Sequence, residues 1–316
     1  MPSVTVIIPA RPDAVEIDAV RAARALDYPV ENVEIILARG KQPSAQRNAA
    51  LKEATGDLIY FLDDDSVPEP KNLRRIIGHF ADPDVKMVGG PAICPADAPA
   101  LEQTFALVLG SWLAFGPSRA RYTPVGTVRQ TSEKELILCN LVARRQGVID
   151  LGGFNEKLYP NEENALMDEL QARGGKLLYD SQLIVRRRPR RTLKAFAKML
   201  MTYGRGRAEQ FRVTPTIGSA LNFVPPLFVL YLLLLLPLLK WSGALFLWPL
   251  MFYFAAVLVQ CVVLTRTGKI RESFQAIPLI ALTHVLYGFG FWRGLVTTLK
   301  PKTSAAAEVR LEKLPR

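Results

Sequence analysis

The sequence predicts an α/β domain on a parallel sheet, followed by a membrane domain of apolar helices. Three observations carry this. Short β-branched runs alternate with helical stretches near the start of the chain; three consecutive aspartates end the third run; and charged residues, spread over the first two thirds of the 316 residues, give way over 220–298 to Leu, Val, Phe, Ala and Trp.

The first run, 4–9, is β-branched, ends in Pro9 and reads as a buried parallel strand. A helix is expected over 13–26, with Val15, Val20, Ala23 and Leu26 on one face. A second strand at 34–38 and a second helix at 44–55, capped by Ser44, lead to a third strand at 58–62. This order places functional loops at the strand C-termini. Further on, the pattern predicts a helix over 72–80, a strand at 87–90, a helix near 101–113, a strand or site wall at 136–144, a helix over 162–172 stopped by Gly174-Gly175, and short strands at 177–179 and 183–185.

Segments 220–239 and 243–265 are each long enough for a hydrocarbon core of ~30 Å. The tight Lys240-Trp241-Ser242 turn makes them an antiparallel hairpin. Segment 277–298 contains His284, three glycines and Arg293; it either spans or lies in the interface. His284 and Arg293 are either functional intramembrane groups or bundle hydrogen-bonders.

The net charge of +11 is concentrated in Arg186, Arg187, Arg188, Arg190, Arg191, Lys194, Lys198, Arg205, Arg207 and Arg212, opposed only by Glu209. Such a block just before an apolar span suits anionic membrane lipids and argues against nucleic acid. Over 192–211 it reads as an amphipathic interface helix, with Leu193, Phe196, Met199, Leu200 and Tyr203 on the apolar face. The start of the chain lacks a secretory leader pattern, and positive charge before the first span and after the second orients both toward the cytosol. The expectation is a multi-pass protein of the cytoplasmic (inner) membrane with a cytosolic first domain. Cys94, Cys139 and Cys261 lack metal-type spacing and suit a reducing compartment. The expected divisions are 1–191, 192–219, 220–299 and a flexible tail at 300–316.

Taken alone, Asp63-Asp64-Asp65 reads as a solvated acidic turn, since clustered carboxylates repel unless a cation compensates. The surrounding motifs change that. Residues 4–9, Gln46-Arg47-Asn48-Ala49-Ala50, Gly56-Asp57 and Phe61-Leu62-Asp63-Asp64-Asp65 together resemble the amino-terminal half of family 2 glycosyltransferases of GT-A fold, a Rossmann-like α/β architecture. Gly152-Gly153-Phe154-Asn155-Glu156 and Asn161-Glu162-Glu163-Asn164 are similar to that family's acceptor-side segment. Tyr203-Gly204-Arg205-Gly206-Arg207 and the trailing apolar helices are similar to bacterial exopolysaccharide transferases of the succinoglycan type.

The resemblance implies a nucleotide-sugar donor held by Pro9, Ala10, Arg11, Ala38, Arg47, Asp63 and Asp64, with Mg²⁺ or Mn²⁺ on Asp65 and Asp63. It implies a general base at Glu163, with Glu162 as the alternative. Arg188 and Arg191 are expected to meet phosphate, of the donor or of a polyprenyl diphosphate, or else lipid headgroups. Ala38 stands where relatives carry an acidic base-reading residue, so the donor base is left open; Arg39 and Lys41 either meet phosphate or lie in a solvated loop. The function implied is inverting transfer of a sugar to a hydroxyl of a lipid-linked (polyprenyl) saccharide. The alternatives are an enzyme loading sugar onto polyprenyl phosphate, or a degenerate nucleotide-binding membrane protein. The sugar, the linkage and the oligomeric state stay open.

Overall fold

The central strands are hydrophobic at nearly every position because they bury both faces. In the computed structural model, which describes residues 1–158, 160–215, 217–299 and 309–316, strand β1 (Val4–Ala10) is buried along its whole length. It is followed by α1 (Asp18–Arg24), β2 (Val33–Arg39), α2 (Pro43–Glu53), β3 (Leu58–Leu62), β4 (Val67–Pro68), α3 (Asn72–His79), β5 (Val85–Gly89) and β6 (Ala92–Ile93). An excursion carries α4 (Ala100–Leu109) and α5 (Trp112–Phe115). The chain resumes with β7 (Arg129–Thr131), β8 (Asn140–Arg144), α6 (Arg145–Ile149), α7 (Glu162–Ala172), β9 (Lys176–Tyr179) and β10 (Val185–Arg186). Helices α8 (Leu193–Val213), α9 (Val224–Ser242), α10 (Trp248–Thr265) and α11 (Ile270–Val296) precede a last strand, β11 (Arg310–Leu314).

Two compact units result. One comprises 1–95, 120–188 and 300–316; the other comprises 96–119 and 189–299. The first is built on an eight-stranded sheet of order β11-β2-β1-β3-β8-β5-β9-β7, with a small β4-β10-β6 sheet beside it. Side chains alternate between two cores, as the two-residue strand period requires. Val4, Val6 and Ile8 join Leu58, Tyr60, Ala19, Ala23, Leu73 and Ile76 on one face. Ile7, Ile59 and Phe61 join Leu51, Leu166, Met167 and Leu170 on the other. The sheet is therefore sandwiched between α1 and α3 on one side and α2, α6 and α7 on the other.

The sheet is mixed, a departure from the all-parallel expectation. Strands β1, β2 and β3 are parallel, with Val4 opposite both Val33 and Leu58. Strand β8 enters antiparallel between β3 and β5 after the 96–119 excursion, a connection that is not a β-α-β crossover. The first helix is also shorter than expected: Val15 is 93 % exposed, and the buried face is carried by Ala19 and Ala23. Ser44 does not cap α2, whose N-cap position is Gln42.

Two further differences concern the expected divisions. Residues 96–119, assigned by sequence to the first domain, group with the apolar helices, because Phe105 of α4 stacks on Phe196 of α8 with centroids 4.2 Å apart and the Leu113 backbone N–H donates to Gln260 Oε1 at 3.1 Å. Of the flexible tail expected at 300–316, residues 300–308 lie outside the described residues, whereas Arg310–Leu314 form β11, which pairs antiparallel with β2, Leu311 opposite Ala38.

Within the second unit, three helices are long and apolar enough to cross a membrane: Ala220–Lys240, Gly243–Thr265 and Ile270–Val296. Helix α8 is capped by Thr192, whose side chain accepts the Ala195 N–H. It packs closely on α11: Phe196 and Leu200 are buried, whereas Leu193 of the expected apolar face is 48 % exposed. Glycines permit the approach, since a Cβ at Gly290 would lie 2.1 Å from the Met201 carbonyl oxygen. Gly290→Leu is therefore expected to destabilise the helical unit by roughly 1–3 kcal/mol or more, read as a lower thermal midpoint in detergent.

Candidate active site

Strand β3 ends at Leu62 and delivers the three aspartates into a turn closed by Ser66, whose backbone N–H donates to the Asp63 carbonyl at 3.0 Å. The negative charge is met by two arginines from distant parts of the chain. Arg47, on α2, donates from Nη2 to Asp63 Oδ1 at 2.7 Å. Arg187, following β10, contacts Asp63 Oδ2 at 3.1 Å and Asp65 Oδ1 at 2.6 Å. Burial lowers the Arg187 pKa, but Asp63, Cys139 and Asp65 together hold it well above its ordinary value. Asp64 belongs to neither pair; its carboxyl is pushed up, first by burial and then by Asp65 and Asp63. Its carbonyl accepts the Ala19 N–H at 3.1 Å and so holds the start of α1.

Arg47 also reaches the second candidate cluster. Its Nη1 lies 3.5 Å from Glu162 Oε1, in the first turn of α7. Both side chains are nearly inaccessible, Arg47 at 4 % and Glu162 at 2 %. A single buried guanidinium thus connects carboxylates about 100 residues apart in sequence. Asn161, just before α7, is the one non-glycine residue with positive φ among those described (116°), and its N–H donates to Glu162 Oε2 at 3.1 Å. Glu163 is half-buried beside it.

Burial, then the neighbouring Glu163 charge, pushes the Glu162 carboxyl up to about 7, against the opposing influence of Arg47. The folded state therefore binds more protons than the unfolded chain between the ordinary value of 4.5 and about 7, so stability falls as pH rises through that window. Glu162→Gln removes this slope. Unfolding midpoints measured from pH 5 to pH 8 are expected to decline less steeply for the variant than for the wild type.

At the ends of β1 and β2, the residues expected to hold the nucleotide are placed unevenly. Arg11 is exposed in the loop after β1, whereas Pro9, Ala10 and Ala38 are buried. The Ala38 side chain lies in the core with Ile36. Gln46 staples the two strand ends, its Nε2 donating to the Ala10 carbonyl at 2.8 Å and the Ala38 carbonyl at 2.5 Å. Arg39 is committed elsewhere than to phosphate. Its Nε donates to Glu312 Oε1 at 3.0 Å, and its Nη1 to the carbonyls of Ala14 at 2.7 Å and Arg11 at 3.4 Å.

The basic run enters the aspartate cluster through Arg187, not through the two members singled out from sequence. Arg188 is exposed at the edge of the first unit, and Arg191 is exposed in the second. Proline spacing in Arg187-Arg188-Pro189 offers no signal for this choice; the register of β10 makes it, since Arg186 pairs with Val67 and Arg187 N–H donates to the Ile93 carbonyl. Cys139, beneath Arg187, has its thiol pushed up to about 12 by burial and is an inert packing residue. His79, likewise without an expected role, meets Asp180 at 2.9 Å as part of a structural pair with Arg75.

Among the described residues no group of three or more His, Cys, Asp or Glu side chains is arranged to hold a metal by itself. The donor set nevertheless fits Mg²⁺ or Mn²⁺ shared with a ligand's phosphates: hard carboxylate oxygens of Asp63 and Asp65 converge on one cationic group, Arg187.

The three-layer mixed α/β sheet with carboxylates at a central strand end has the architecture expected of a GT-A domain. Residues 20–130 match the family model described as Glycosyl transferase family 2. Over 164 residues it is 29 % identical to the pre-mycofactocin glycosyltransferase of Mycobacterium tuberculosis, in both the CDC 1551 / Oshkosh and the ATCC 25618 / H37Rv strains. That alignment covers 52 % of this chain and 34 % of the relative, so the chain matches about a third of the length of these curated relatives. Among solved structures, the mannosyltransferase PcManGT from Pyrobaculum calidifontis, in complex with GDP-Man and Mn²⁺, is similar with a TM-score of 0.54 and 17 % identity, covering 93 % of this chain and 87 % of that one. This likeness is one of fold.

Proposed function

We propose that the chain is an inverting glycosyltransferase of a bacterial cytoplasmic membrane, moving a sugar from a nucleoside-diphosphate donor to a hydroxyl of a lipid-linked saccharide. The observation that carries this reading is the link through Arg47, which ties Asp63 on the donor side to Glu162 on the acceptor side. Donor phosphates entering beside Asp63 and Asp65 would compete with these carboxylates for the Arg187 guanidinium, whose fork geometry suits phosphate oxygens. Asp65 and Asp63 are the residues that would hold a divalent cation, which when bound would supply neutralisation of charge on the leaving diphosphate. Glu163, half-buried at the start of α7, accepts the proton of the attacking hydroxyl as the bond to the anomeric carbon forms and the diphosphate leaves. Glu162, held by Arg47 and the Asn161 N–H, keeps that turn in place. The apolar helices would anchor the chain in the membrane that carries a lipid-borne acceptor, and positive charge beside the spans supports a cytosolic orientation.

The test is a thermal-shift and turnover screen of the purified chain against nucleotide sugars and nucleoside diphosphates, with and without Mn²⁺. Stabilisation by one nucleoside diphosphate in the presence of metal, with release of that diphosphate from its sugar, is the expected result. If no nucleotide stabilises the protein under any metal condition, the donor assignment is wrong.

A further inference from the structure

The strand β11 reaches the donor side of the sheet from the far end of the chain, after all the apolar helices. It does more than cover the edge of β2. Its register places Glu312 opposite Leu37, diagonal to Arg39 on the same face. Glu312 Oε1 accepts from Arg39 Nε at 3.0 Å with both side chains mostly shielded, at 24 % and 18 % exposure. Arg39 Nη1 donates to the Ala14 and Arg11 carbonyls, in the loop that leaves β1. That loop and the ends of β1 and β2 lie at the carboxyl ends of the strands, the side on which an open α/β sheet receives ligands and on which the donor reading places the nucleotide. Ala38 has no side-chain acceptor to offer a base there, so the shape of the loop has to provide the fit.

We propose that Glu312 is a positioning residue for the base of the donor nucleotide. It fixes the Arg39 guanidinium, which braces the 11–17 loop in the conformation that walls the base site. This rests on the donor reading above. Without Glu312 the guanidinium loses its charged partner and the loop its brace, whereas Asp63, Asp65, Arg47 and Arg187 keep their contacts. Affinity for the base should fall, and affinity for the diphosphate alone should not. The other anchor of the same strand, Lys313 to Glu34 at 3.0 Å, lies on the opposite face and serves only to hold the strand.

The experiment is calorimetric titration of the full chain in detergent with UDP, GDP and inorganic pyrophosphate, each with Mn²⁺. Glu312→Ala and the milder Glu312→Gln are expected to weaken the preferred nucleoside diphosphate by about fivefold or more, and Arg39→Ala by a similar factor without adding to it. Pyrophosphate affinity should be unchanged in all of them, and Lys313→Ala should leave both ligands unaffected. Equal losses for nucleotide and pyrophosphate, no loss for either, or the same loss in Lys313→Ala would overturn the positioning role while leaving the donor reading intact. A wild-type chain that binds pyrophosphate but neither nucleotide overturns the donor reading itself and takes this role with it.

Discussion

Asp65→Ala is expected to reduce sugar transfer by about a thousandfold, the scale on which a preorganised electrostatic contact to the developing charge acts. Asp65 is the more accessible of the two carboxylates facing Arg187, with 47 % of its side chain exposed against 23 % for Asp63. Asp63 is clamped by both Arg47 and Arg187, so its replacement would also leave buried Arg47 short of a partner and confuse a catalytic loss with a folding one. Asp65→Ala avoids that ambiguity. Thermal stability without ligand should stay close to wild type, whereas the Mn²⁺-dependent stabilisation by nucleoside diphosphate should disappear. Full turnover in Asp65→Ala would remove metal-assisted departure from the mechanism.

Glu163→Gln is expected to lower kcat by about 10²- to 10⁴-fold with little change in donor affinity, because it removes a proton acceptor and leaves the volume unchanged. The same variant separates two acceptor chemistries. A hydroxyl must lose its proton during attack, but a polyprenyl phosphate is already ionised and requires no base. Full activity in Glu163→Gln would therefore point to an enzyme that loads sugar onto the lipid phosphate. Loss in Glu162→Gln with activity kept in Glu163→Gln would transfer the role to Glu162, whose raised pKa and contact with Arg47 make it the competing candidate.

Much of this arrangement is legible in the sequence, for identifiable reasons. Strands β1, β2 and β3 are buried on both faces and announce themselves as unbroken apolar runs. Helix α7 falls at 162–172 because two acidic residues open it and Gly174-Gly175 closes it. The antiparallel entry of β8 was not legible, since local pattern carries no strand direction. Arg187 could not be separated from its arginine neighbours, because the choice depends on how β10 pairs with β4 and β6. The 96–119 excursion looked like part of the first domain because α4 is too short to read as a membrane element. Strand β11 was hidden by its composition: Arg-Leu-Glu-Lys-Leu has no strict period of two, its two leucines falling on opposite faces, and a short charged stretch after an Ala-rich one reads as solvated tail.

The pairing of β11 with β2 also bears on how the protein is made. Synthesis proceeds from the amino terminus, and domains generally fold as their residues emerge. Here the outer edge of β2 stays open until every apolar helix has been synthesised and the last residues of the sheet have left the ribosome. An unpaired edge is a template for mispairing, so the growing chain carries that hazard throughout the insertion of its helices. A nucleotide site braced from β11 would become competent only after the apolar helices have been made, which couples donor binding to synthesis of the segment that follows them.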